Sequence, residues 1–228
     1  MTAVVARHRP GTYARGEDTR RRLIETAIAA FGTYGYDGTS TRMLAEQAEV
    51  TLPAIQYYFG SKEGLYRAAI EHIVAGMEER LGPLAERARR LLAHSKAERS
   101  DLHRALGDLL DALVALIAGG NTSTKRFIGR AEIERSTALA VLHDAMRRLM
   151  LEPAIALVAR LTGHRADNKQ VVLRALAIVG QASVFCHIGP RSALSLSDFD
   201  ADQIRAIQSI VRQHAKAVLD AAAREGKS

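Results

Sequence analysis

The chain is 228 residues long and 47% apolar, enough to bury a core in one or two domains and too apolar for a disordered or fibrous chain. Aromatic residues make up only 5% and tryptophan is absent, while alanine, leucine, arginine and glutamate abound, a composition that favours helices over strands and predicts an all-α fold. With 32 Lys and Arg against 25 Asp and Glu the net charge is +7, which favours an anionic partner, nucleic acid or a membrane surface, without choosing between them.

Residues 1–16 carry Arg7, Arg9 and Arg15 among Gly and Pro without periodicity, and they read as a flexible basic arm with no apolar stretch of the kind a signal peptide needs. A helix is expected from Glu17 to Gly35, with Leu23, Ala27, Phe31 and Tyr34 at helical spacing. Ser40 is placed to cap a short second helix holding Met43, Leu44 and Ala48. Thr51 and Pro53 open a third that runs to Phe59 and closes at Gly60, and Ser61 caps a fourth. That fourth helix sets Leu65, Ala69, Ile73 and Met77 on one face until Gly82 and Pro83 break it. Beyond the polar residues 95–101, residues 102–118 are amphipathic through Leu102, Leu106, Leu109, Leu113 and Leu116, and Gly119-Gly120-Asn121 is a loop. Residues 128–161 make one or two helices, with Pro153 at a start or kink, and 163–168 a loop. Residues 171–188 are apolar nearly all round and end at Gly189-Pro190. The last helix, from about Asp202, spaces Ile204, Ile207, Val211, His214 and Val218 alternately by three and four, a seam for another helix.

Cys186 is the single cysteine, which excludes an intramolecular disulfide and a cysteine metal cluster and predicts a small buried thiol in a reducing compartment. The longest apolar stretches fall short of the ~18 residues of a membrane span, so a soluble, cytoplasmic protein without a membrane partner is expected. Three divisions follow: the arm at 1–16, a helix-turn-helix unit at 17–65, and a helical bundle at 66–228.

Two very short helices joined by Gln47-Ala48-Glu49-Val50-Thr51, directly behind a longer amphipathic helix, form the helix-turn-helix pattern. The unit needs apolar anchors at Leu44, Ala45, Val50 and Ile55 so that its second helix projects into a major groove ~12 Å wide. The rest of that helix, from Thr51 through Pro53, Ala54, Gln56, Tyr57 and Tyr58, mixes a bidentate amide with phenols that reach phosphates. Thr41 and Arg42, at the start of the helix before it, are placed to hold a flanking phosphate. Gln56 is a candidate reader of adenine, and one of Tyr57 and Tyr58 faces DNA while the other packs inward.

Phe31-x-x-x-Gly35-Tyr36-x-x-Thr39-Ser40, Leu44-Ala45, Val50-Thr51 and Tyr57-Tyr58-Phe59-x-Ser61-Lys62-Glu63-x-Leu65 resemble the TetR family of bacterial transcription regulators, over about residues 17–68. The resemblance implies an all-helical homodimer with an amino-terminal DNA-binding domain, a ligand-receiving carboxy-terminal domain, and dimerisation through the last two helices. It also implies that Lys62, at the start of the fourth helix, meets a DNA phosphate. Glu49 departs from the pattern, standing where the family places glycine in the turn, and Gln56 and Tyr58 differ from residues common on the family's recognition helix. A dimer interface is accordingly expected at Gly180, Ser183, Ile204, Ile207, Val211 and Val218. A ligand pocket is implied by the resemblance alone. Its candidates are the polar groups of otherwise apolar helices, His103, Arg130, Glu134, His143 and Arg147, with Phe127 and Phe185. Each also has a structural reading, as a core or surface residue.

Other chemistry is not visible. Asp198-x-Asp200-x-Asp202 opens like a calcium loop but has Gln203 and Ser209 at its sixth and twelfth positions, and Gly119 to Lys125 lacks the Gly-Lys-Ser/Thr order of a phosphate loop. No paired-histidine metal motif and no Gly-x-Ser-x-Gly elbow occurs, so neither a catalytic site nor a metal or cofactor is expected. The sequence therefore predicts a homodimeric repressor that a small molecule releases from double-stranded operator DNA. The rivals are a helical ligand-binding or partner-docking protein that no longer reads DNA, which Glu49 would allow, and an enzyme built on a helical bundle.

Overall fold

A computed structural model of the chain describes residues 10–185 and 199–225, and every regular element within them is helical. The expectations for Cys186, for the Gly189-Pro190 stop, for Asp198 and for residues 1–9 of the arm lie outside the described residues. The elements are α1 (Pro10–Gly38), α2 (Thr41–Gln47), α3 (Leu52–Phe59), α4 (Lys62–Ala93), α5 (Arg99–Ala118), α6 (Thr122–Ile133), α7 (Leu139–Met146), a π segment (Arg147–Leu151), α8 (Glu152–Thr162), α9 (Lys169–Ser183) and α10 (Ala201–Glu225).

The caps are local chemistry. The Ser40, Ser61, Asn121 and Asn168 side chains accept from the backbone N–H of Met43, Gly64, Ser123 and Gln170 at 2.8–3.1 Å and start α2, α4, α6 and α9. Gly35, with φ 76°, breaks the helical path of α1 where the sequence places its stop. A side chain there would also collide with Glu134, since a Cβ would lie 2.6 Å from Oε1.

Three boundaries differ from expectation. Helix α1 already begins at Pro10, a residue suited to a first turn because its missing N–H would have no intrahelical partner. Helix α4 runs straight through Gly82 and Pro83. Proline there frees the Glu79 carbonyl, but Pro83 and Glu79 are both exposed, so that carbonyl lies on the solvent side of the helix, while Leu81, Ala85 and Ala88 on the opposite face are fully buried. Helix α6 starts at Thr122 rather than 128. A turn at 134–138, with Arg135 at φ 51°, then separates it from α7. Pro153 stands at the start of α8, just after the π segment whose wider turn absorbs the missing hydrogen bond.

Two apolar cores result. One joins α1, α2, α3 and the first five turns of α4 to α6 and α7, around a ring cluster of Phe31, Tyr36, Tyr66 and Phe127 with centroids 4.9–6.1 Å apart. The other is built by the end of α4 with α5, α8, α9 and α10. Helix α4 thus belongs to both, and α1 packs along α6, so the helix-turn-helix unit is wedded to the bundle by continuous packing rather than by a linker.

The rotation of α10 overturns part of the expected seam. Arg212 reaches Asp108 at 2.9 Å and Asp111 at 2.7 Å on α5, and the Gln208 amide donates to the Asp111 carbonyl at 3.0 Å. These partly buried links turn Ile207 (6% exposed) and Val211 (2%) into the protomer's own core, together with Ala215, Leu219 and Ala222. Ile207 and Val211 are therefore core residues and not an intersubunit surface.

Candidate nucleic-acid interface

Helices α2 and α3 are too short to be stable alone and are held by their anchors. Leu44, Ala45, Ala48 and Ile55 are buried against α1 and α4, and Val50 is half-buried. Between them the chain turns through Glu49 at φ 52°. The Val50 N–H donates to the Ala45 carbonyl at 3.0 Å and the Glu49 N–H to Glu46 at 3.2 Å, the paired bonds of a Schellman cap. The turn therefore keeps its left-handed geometry with a glutamate in it. A non-glycine residue in that region carries a strain of about 1 kcal/mol. Glu49→Gly is thus expected to raise the melting temperature by a few degrees, at about 2–4 °C per kcal/mol, which a circular-dichroism melt will read; an unchanged or lower value would mean the turn is not strained.

The outer face of α3 presents Thr51, Leu52, Pro53, Gln56 and Tyr57, with Tyr57 82% exposed. Ala54 is half-buried. Tyr58 stacks edge-on against Tyr57 at 4.9 Å and is half-buried, its hydroxyl lying against Gly16 of α1. Tyr57 is the outward phenol and Tyr58 the inward one, the choice adjacent positions on a helix left open. A shallow depression of about 400 Å³ separates Thr41 and Ser61 from Pro53 and Gln56. Arg42 is outside it, paired with Glu46 at 2.9 Å, and both side chains are largely exposed, so the pair is worth only a few tenths of a kcal/mol. Arg20 lies over the Phe59 ring at 5.6 Å, bringing the basic face of α1 beside the end of α3.

Lys62 makes contacts that the sequence did not predict. Its Nζ donates to the Tyr36 carbonyl at 2.9 Å and the Thr39 carbonyl at 3.0 Å, and lies 4.2 Å from the centre of the Tyr36 ring. Two of the three ammonium N–H groups go to the end of α1, so Lys62 fastens α1 to α4. Sequence reasoning missed this because the acceptors are carbonyls, which carry no residue signature. It also missed Thr39, buried with its hydroxyl donating to the Gly35 carbonyl at 2.7 Å.

Among the described residues the candidate ligand residues stand at separate places, Glu134, His103 and Arg130 each at a different depression. His103 faces a groove between α5 and α10, 3.5 Å from Asp220, where burial and Arg99 hold its pKa below the ordinary histidine range despite that carboxylate. Phe127 is sealed in the first core, and Phe185 packs on Phe199 at 6.0 Å. His143 is exposed, and Arg147 is held by Asp144 at 2.6 Å and by Glu152 on the surface. Arg130 pairs with Glu134 at 3.4 Å, and Glu134 also accepts from the Tyr36 N–H. A pocket is formed by elements that are distant in sequence, so apolar-face patterning could not assemble one. Of the expected interface residues, Gly180, Ser183 and Val218 are exposed and Ile204 is half-buried.

Residues 23–69 match the family described as bacterial regulatory proteins, tetR family, and residues 102–222, more than half of the chain, match the carboxy-terminal domain of the HTH-type transcriptional dual regulator CecR. The CecR protein of Shigella flexneri is 29% identical over 214 residues, spanning 92% of this chain and 95% of that protein. The probable HTH-type transcriptional regulator YttP of Bacillus subtilis (strain 168) is 39% identical over 61 residues, 27% of this chain and 28% of that one. Among solved structures, a putative transcriptional regulator from Pseudomonas aeruginosa PAO1 aligns over 96% of both chains with a TM-score of 0.62 and 17% identity. A TetR-like transcriptional regulator from Rhodococcus sp. RHA1 aligns with a TM-score of 0.59 and 18% identity over 87% of this chain and 96% of that one.

Proposed function

The chain belongs to the TetR family of DNA-binding transcriptional regulators, and from that premise we propose that it is a cytoplasmic homodimeric repressor which a small molecule releases from its operator. The observation that carries the reading of DNA is the outer face of α3, with Gln56 and Tyr57 turned outward on a helix whose other side is anchored in the core. On this reading Gln56 contacts a base edge, with Pro53 and Ala54 close to the groove floor. Thr41, Arg42, Thr51, Tyr57 and the first N–H groups of α4 hold the phosphates on either side. Tyr58 supports α3 from behind.

The homodimer is assigned to α9 and α10. Leu173, Leu176, Gly180 and Val184 form one exposed stripe, and Ile210 and Val218 form another. The Gln181 amide and His214, 3.1 Å apart, join the two helices between the stripes. Exposed apolar faces of this kind mark interfaces, and a pair of helices per protomer meets its copy as a four-helix bundle. Two α3 helices then enter successive major grooves only at a spacing near 34–36 Å, so a ligand that favours another spacing weakens DNA binding. Helix α4 is the lever, since it begins beside α3 and ends in the second core.

A gel shift and footprint on the DNA upstream of its own gene test the reading. A protected pseudo-palindrome is expected, and no specific complex there or on selected random DNA would remove it. Gln56→Ala should relax preference at one base pair of each half-site, at a cost of about 1–3 kcal/mol against the wild-type sequence. Uniform weakening over all single-base operator variants would instead make Gln56 a backbone contact.

A further inference from the structure

A cleft of about 740 Å³ opens between the end of α1, the first turns of α4 and the α6–α7 connection. Four carboxylates line it, Asp37, Glu63, Glu71 and Glu134, on a chain whose net charge is +7. The neighbouring cations leave that charge only half matched. Arg67 stands 3.6 Å from Glu63, Arg130 pairs with Glu134, and Lys62 is bound to the backbone carbonyls of α1. Asp37 and Glu71 form no ion pair with any described residue.

The floor of the cleft carries a second, independent feature. Tyr66 is 4% exposed, and its hydroxyl has no hydrogen-bond partner of ordinary geometry among the described residues. The Ser136 side chain lies near enough to ease ionisation of the phenol, yet burial, with Glu134 adding to it, holds the pKa above its ordinary value. An orphaned buried hydroxyl costs about 1–3 kcal/mol unless something supplies its partner. Tyr36 packs edge-on to Tyr66 at 5.2 Å, so the floor is aromatic as well as electron-rich.

We propose that this cleft binds an organic polycation, a molecule with two or more ammonium groups on a flexible apolar chain. The two unmatched carboxylates fix its charged ends, the Tyr66 hydroxyl, enclosed beside Ser136 beneath the cleft, accepts from one of its N–H groups once Ser136 yields, and the tyrosine rings with Ala138 and Val141 cover its methylenes. An inorganic cation fits less well, because among the described residues no three metal-ligating side chains converge on one point. The site lies where α1, fastened by Lys62, meets α4 and the α6–α7 connection. An occupant therefore ties the helix-turn-helix unit to the bundle, and on the regulatory reading above it would act as an effector.

Calorimetric titration of the full chain with spermidine near physiological ionic strength, about 0.15 M, tests the site without DNA. Saturable binding of one spermidine per chain is expected. Asp37→Asn and Glu71→Gln should each weaken it about threefold to fivefold, the worth of an exposed ion pair, and the double variant by about tenfold or more. Tyr66→Phe should weaken it as well, whereas Asp167→Asn, on a remote surface loop, should not. Both carboxylates are exposed, so thermal melts should remain at the wild-type value. Absence of saturable binding, wild-type affinity in the double variant, or full displacement by equimolar magnesium would overturn the proposal. Because polyamines also bind DNA, the effector role is read as the difference between wild-type and double-variant protein on operator DNA at one spermidine concentration. No difference would refute the effector role, while failure of operator binding without spermidine would refute the regulatory reading and leave the calorimetry standing.

Discussion

Replacing Leu176 and Ile210 by glutamate is expected to yield a folded monomer that no longer holds its operator. The two side chains are 44% and 47% exposed on the outer faces of α9 and α10, so the isolated protomer loses little by their replacement. In a dimer the same positions would be dry, and burying unpaired carboxylates there costs several kcal/mol apiece. Sedimentation should show a single species near the protomer mass, with helical content by circular dichroism at the wild-type level. Operator affinity should fall by about 10²–10⁴, because each protomer then binds one half-site without the help of the other. The companion Ile207→Glu and Val211→Glu double variant separates the two faces of α10. Those residues face α5 and the second core, so their replacement should unfold or aggregate the protein rather than dissociate it. A soluble Leu176→Glu and Ile210→Glu dimer would move the interface elsewhere.

The difference between these two pairs shows where sequence patterning stops. Ile204, Ile207 and Val211 do lie along the inward stripe of α10. From there the stripe continues through Ala215, Leu219 and Ala222, and alanine contributes too little hydrophobic contrast to reveal the turn. His214 and Val218, which completed the expected seam, fall on the outward side. The helix-turn-helix unit was far more legible, because its boundaries are written in residues with specific backbone chemistry: Gly35, Ser40, Gly60 and Ser61 each do the job their side chain, or lack of one, allows. Pro83 misled for the converse reason, since the cost of a proline depends on whether the freed carbonyl meets water. The expected ligand residues scattered because a cavity belongs to three or four elements at once. The cleft lined by Asp37, Glu71 and Tyr66 includes a single member of that set, Glu134.

Lys62→Met is expected to destabilise the protein and weaken operator binding while leaving the salt dependence of that binding unchanged. Methionine keeps most of the apolar stem but removes both donors, so the Tyr36 and Thr39 carbonyls lose a charged partner at the junction of α1 with α4. Hydrogen bonds to a charged group contribute about 1.5–3 kcal/mol, and a part-buried pair such as this should cost a few degrees to about ten in a thermal melt. The unit that positions α3 is then less firmly set, and affinity falls for every DNA sequence alike. The slope of log affinity against log salt discriminates between this role and a phosphate contact. Each phosphate neutralised by a side chain contributes about 0.9 to that slope, so an ammonium that faces backbone carbonyls contributes none. A slope reduced by about 0.9 per protomer, with an unaltered melting temperature, would mean that Lys62 leaves the end of α1 for the phosphate when DNA arrives. A lower melting temperature at constant slope would make it the fastening between the two helices, with the anion left to the backbone N–H groups that open α4.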